Sequence, residues 1–201
     1  MERENKTIDN PFFCWAKPYF DFIGKGKIYS LIYVIMALGN LLLPLIVIFV
    51  VIESGLMQYT GTNVVVAFMF SLLVIAFASW IGFQLWWNRK SSIKRFESAD
   101  FIATPVLSEI LQTFGEWLGT FMGILGVGVG IIMTILLWDI QSSELGIYGI
   151  RTFFNFGPAM IIGGPVAGFF TIVLFRFLAE QIRIISSIAN NTRDIARTLR
   201  K

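Results

Sequence analysis

Glu109 and Glu116 are seven residues apart and share one face of a helix, so they resemble the carboxylate pair of an acid–base site. Such a pair needs a nucleophile, a metal ligand or a substrate pocket beside it. None is legible, and the expectation is a solvated polar face. Arg176, Glu180 and Arg183 form a second constellation on one helical face. Its default reading is an ion-pair ladder along that helix, with a contact site for a partner or lipid as the alternative. The chain has no histidine and one cysteine, Cys14. Cys/His zinc sites, His-based triads and an intrachain disulfide are thereby excluded. No catalytic, cofactor-binding or metal-ligating residue is expected, and the chain does not read as an enzyme.

The composition says which elements must carry these groups. Of 201 residues, 56% are hydrophobic and 14% charged, and the mean hydropathy is +0.72. A soluble domain carries about 25% charged residues, and a chain this short cannot bury so much apolar surface in one core. The fold class expected is all-α: a polytopic integral membrane protein with four transmembrane helices. Spans are predicted at about 28–52, 63–87, 118–138 and 157–178, each long enough to cross a hydrocarbon core of ~30 Å. Gly55, Gln58, Gly61, Thr62 and Asn63 read as the turn between the first two.

Lys and Arg number 15 in the two termini and the second loop, and one, Arg151, in the other loops. The positive-inside rule then places both termini in the cytoplasm. Residues 1–27 read as a cytoplasmic lead-in, because they contain no apolar signal-peptide core. Their Phe12, Phe13, Trp15, Tyr19, Phe20 and Phe22 suit the headgroup layer, as do Trp86 and Trp87 at the inner boundary and Trp138 at the outer. Cys14 is expected to be an unmodified interfacial thiol, with lipidation as the alternative.

Span three carries the strongest pattern. Gly115, Gly119, Gly123, Gly126 and Gly130 are spaced 4, 4, 3 and 4, which gathers them within about 80° of one helical face. In lipid such a stripe lets a second helix approach closely, so a packing face is expected, within the subunit or between copies; a pore-lining face is the alternative. Gly128 lies on the opposite side. An interfacial helix is predicted over about 104–117, running into span three, with Thr104-Pro105 as its start. Gly157-Pro158, Gly163-Gly164-Pro165 and Gly168 predict a kink or partial unwinding in the outer half of span four.

Past Arg176 the apolar pattern continues as a heptad seam: Leu178, Ile182, Ile185, Ala189, Thr192, Ala196 and Leu199. It predicts that residues 179–201 form an amphipathic cytoplasmic helix continuing the fourth span and serving assembly. Arg183, Arg193 and Arg197, with Arg176 and Glu180 above them, are candidates for contact with a partner or with anionic lipid headgroups. Nucleic acid is not expected, since a position beside the membrane already accounts for the charge.

Phe20-Asp21-Phe22, the Ile28–Ile35 stretch with Tyr33, Gly163-Gly164-Pro165, the Arg176/Glu180 pair and Ile188-Ala189-Asn190-Asn191-Thr192-Arg193 together resemble a bacterial membrane family catalogued as domain of unknown function 4282. The resemblance covers less than half of the chain. It implies a multi-pass protein of the bacterial inner (plasma) membrane and brings no activity with it. Members have two spans, a short outer loop and a terminal cytoplasmic helix; this chain inserts two further spans and a basic loop between the matching halves. The expected role is a non-enzymatic inner-membrane subunit, homo-oligomeric or joined to other membrane subunits, that scaffolds or regulates a larger envelope complex. The alternative is a homo-oligomeric channel or small-solute transporter whose path is lined by spans three and four.

Overall fold

The computed structural model describes residues 27–54, 61–92, 103–136 and 156–199. These residues contain four long helices and no strand: α1 (Lys27–Glu53), α2 (Thr62–Arg89), α3 (Ala103–Leu136) and α4 (Gly157–Leu199). All four are long and apolar enough to cross a membrane, which makes this a multi-pass membrane protein by length and composition. The aromatic lead-in, Cys14, Lys94, Arg95, Trp138 and Arg151 lie outside the described residues.

Local sequence explains where the helices begin. Gly61 is the N-cap of α2 in an extended conformation, so Thr62 and Asn63 belong to the helix and not to the turn expected from composition. In α3, Ser108 Oγ donates to the Pro105 carbonyl at 2.7 Å inside the first turns, and Pro105 stands where its missing N–H leaves no intrahelical bond unmade. Pro158 occupies the same kind of position in α4. The segments predicted as an interfacial helix and as span three are one unbroken element of 34 residues. Likewise α4 runs for 43 residues with Pro165 inside it. It stays helical through Gly163-Gly164-Pro165, so the expected unwinding does not occur. At 1.5 Å per residue it is roughly 65 Å long, about twice the hydrocarbon thickness.

Neighbouring helices run antiparallel. Tyr33 of α1 meets Trp86 of α2, Val74 of α2 meets Gly128 of α3, and Gly126 of α3 meets Gly164 of α4. Two cores hold α1, α2 and α3 together. One gathers Tyr33, Ala37, Trp86 and Val106, with Phe83, Phe114 and Trp117 packed on it. The other gathers Ala67, Ile132 and Met133. Trp86 is fully buried and so is a core residue, unlike the headgroup anchor its position suggests; only Trp87 is exposed, with Lys90 Nζ 5.3 Å from its ring centre. A polar bond ties α1 to α3 within the apolar region: Trp117 Nε1 donates to Asn40 Oδ1 at 2.7 Å. Asn40 in turn donates to the Met36 carbonyl. Gly82 of α2 makes room for this bond, since a Cβ there would strike the Asn40 amide and the Trp117 indole.

The helices are covered very unequally. In the apolar stretch of α3, 28% of residues are buried inside the chain, against 6% in α4. α3 is the central helix, and α4 is attached along one side, chiefly to α3.

Candidate functional site

The α3–α4 pair keeps one antiparallel register from end to end. Over its first half the register is set by glycine. A Cβ on Gly126 would come within 2.5 Å of Gly164 Cα, and one on Gly130 within 2.8 Å of the Gly157 carbonyl. Gly119 meets the Gly168 carbonyl and Ile172, and Gly115 meets the Phe175 side chain. At Gly126 every near neighbour is backbone and cannot move aside, whereas Gly115 faces only the Phe175 side chain. Gly123 is different: its only neighbour is Pro165 Cα at 3.8 Å, ordinary contact at the edge of the interface. The stripe is thus applied to α4 of the same chain. Gly128, on the other side of α3, receives Val74 of α2.

Over the second half the same register brings ionised side chains together. Glu109 and Glu116 are seven apart on α3, and Arg183 and Arg176 are seven apart on α4, so the antiparallel pair aligns both steps at once. Arg176 Nη2 donates to Glu116 Oε1 at 2.9 Å and its Nε donates to the same oxygen at 3.1 Å. Gln112 Nε2, one turn back, donates to that oxygen at 3.0 Å. Arg89, near the end of α2, donates to Glu116 Oε2. In the next step Arg183 Nη2 donates to Glu109 Oε2 at 2.9 Å and to Gln112 Oε1 at 2.8 Å, while its Nε reaches Ser108 Oγ at 3.2 Å. Arg89 also lies 4.0 Å from Glu109.

These contacts revise both charge constellations read from the sequence. Glu116 is only 8% exposed; it is a buried carboxylate between two guanidiniums and not part of a solvated face. Arg176 and Arg183 pair across to α3 and not along their own helix, while Glu180 is exposed and takes no part. In this arrangement Glu116 accepts from Arg89, Gln112 and Arg176, and Glu109 accepts from Arg183, so both carboxylates are engaged by charge-assisted bonds from arginines of other helices. The arrangement is well suited to fixing the position of three helix ends. Three guanidiniums face two carboxylates, so the belt keeps one positive charge.

Sequence reasoning treated Arg89 only as a loop cation and missed Gln112, Ser108, and the Tyr33–Thr113 hydroxyl contact of 3.3 Å. The matching seven-residue spacings on the two helices were the available signal.

The heptad residues fall into two groups. Ile182 is half-buried, whereas Leu178, Ile185, Ala189, Ala196 and Leu199 are exposed, Leu199 to 82%. Arg193 is half-buried, and the side chain of Arg197 lies outside the described residues. Comparison of the chain with family models, with curated proteins and with solved structures found no match.

Proposed function

We propose that this chain is a non-enzymatic membrane subunit that assembles with other copies or other membrane subunits through α4, scaffolding or regulating a larger envelope complex. The observation that carries this is the exposed apolar stripe on the far half of α4. Ile184, Ile185, Ile188, Ile195 and Leu199 stand between 51% and 82% exposed on a stretch of helix that a bilayer crossing does not require. A contiguous apolar stripe outside lipid is normally covered by a partner or by the membrane surface. The charge distribution supports both termini lying in the cytoplasm, and the family resemblance supports a bacterial inner membrane. The channel reading has less behind it, because four of the five stripe glycines of α3 are closed by α4.

The test is the mass and composition of the complex purified in mild detergent, for the wild type and for Ile185→Glu combined with Ile188→Glu. Stoichiometric partners, or a multiple of 22.7 kDa, lost in the double variant, is the expected result. A wild-type chain that runs alone at 22.7 kDa overturns it. For topology, a membrane-impermeant thiol label is expected to reach a cysteine placed at Gln58 from outside but not one placed at Ser92; labelling at Ser92 reverses the orientation.

A further inference from the structure

We infer that the gap between α2 and α4 is a binding site for one anionic phospholipid, with an acyl chain lying over Gly123 and the phosphate at Arg176. The gap holds an open groove of about 660 Å³ with an almost wholly apolar lining, a surface along which an acyl chain can lie. Leu73, Val74 and Phe77 of α2 form one wall, Thr120, Gly123 and Val127 of α3 the floor, and Pro165 of α4 the other wall.

Each surface leads to a charge at the same end. On α3, Glu116, Thr120, Gly123 and Val127 follow one another at spacings of 4, 3 and 4, so the floor is the stripe that carries the buried carboxylate. On α4, Pro165 and Arg176 are eleven residues apart and share a face. On α2, Leu73 and Phe77 continue on one face as Trp80 and Trp87, both about half exposed, and Lys90 caps the last ring. Exposed tryptophans followed by cations are what a headgroup layer selects. From Glu116 to Gly128 the floor is roughly 18 Å long, close to one leaflet of a ~30 Å core.

Charge selects the occupant. Arg176 is 56% exposed although it is paired with Glu116; it holds that carboxylate through Nε and Nη2, leaving Nη1 for a further acceptor, and the belt retains one positive charge, which a phosphate completes. A second copy docked in the same groove at the same depth would set Arg176 and Lys90 against like charges. Gly123 is the one stripe glycine not closed by α4, and its missing side chain opens the floor. This inference does not depend on assembly through α4.

The experiment is native mass spectrometry of the full chain in mild detergent, delipidated and titrated with phosphatidylglycerol or phosphatidylcholine. The wild type is expected to retain one phospholipid per chain and to prefer phosphatidylglycerol about five-fold, the worth of one guanidinium at a membrane surface. Arg176→Gln, which leaves Glu116 on Arg89, is expected to abolish the preference. Gly123→Leu, and Val127→Phe as an independent filler of the groove, are expected to lower retention of both lipids. Equal retention of the two lipids by the wild type overturns the proposal, as does undiminished retention in both groove variants. A wild-type dimer that either filler dissociates overturns it too, by assigning the groove to a second helix.

Discussion

The two halves of the α3–α4 interface share one register but are held by opposite means. In the glycine half the helices touch backbone to backbone, with Gly126 and Gly164 face to face. In the charged half they are joined through long side chains, Arg176 to Glu116 and Arg183 to Glu109. The difference follows from the surroundings. Within hydrocarbon there is no hydrophobic drive between helices, and close packing of small residues supplies the attraction. Near the end of α2 and the start of α3 guanidiniums can be partly hydrated, and long charged pairs become tolerable. The glycine half therefore fixes distance, and the charged half fixes which residues stand opposite one another and also ties in α2 through Arg89.

Substitutions that load one half and spare the other test this division. The largest effect is expected at Gly126→Leu, which forces a side chain against the Gly164 backbone and separates the helices. A loss of about 3 kcal/mol should appear as a lowered melting temperature in detergent, whereas Gly123→Ala, with Pro165 Cα 3.8 Å away, should melt like the wild type. Equal losses at the two positions would remove the claim that glycine sets the distance. Next comes Glu116→Gln, which leaves Arg89 and Arg176 facing a neutral amide; about 3 kcal/mol or slightly less is expected, the low end for breaking a buried pair because Arg176 is half exposed. Glu109→Gln should cost least, about 1 kcal/mol at most, since Arg183 is 43% exposed and keeps Gln112 and Ser108. If Glu109→Gln proves as costly as Glu116→Gln, the belt acts as a unit and its two steps are not independent; a double-mutant cycle measures that coupling directly.

Much of the scaffold was legible in the residue order. Four apolar runs announced four long helices, and the 4, 4, 3, 4 glycine spacing identified one face of α3 without revealing its neighbour. The continuation of α4 past Arg176 was legible because its apolar period does not change there. What escaped was anything that depends on two helices at once. Glu109 and Glu116 read as a solvated face because their spacing describes α3 alone, and Arg176 with Glu180 read as an intrahelical pair because nearness in sequence was the only nearness available. Trp86, next to Trp87 and three residues before the charges of Arg89 and Lys90, reads as a second interfacial anchor from sequence, but the ring of Tyr33 packs edge-on against it, 5.2 Å away.

The sequence by itself determined that this chain must satisfy its backbone as helix and hide its apolar surface in lipid, because hydropathy and hydrogen-bond satisfaction are properties of each segment taken singly. The tertiary structure decided which charge answers which. Only the antiparallel register of α3 and α4 converts two separate seven-residue spacings into paired carboxylates and guanidiniums, and only the position of α2 brings Arg89 to the carboxylate that Arg176 already holds. Ion pairing depends on distances of a few ångströms between segments that lie some 60 residues apart in the chain, and no local pattern encodes such a distance.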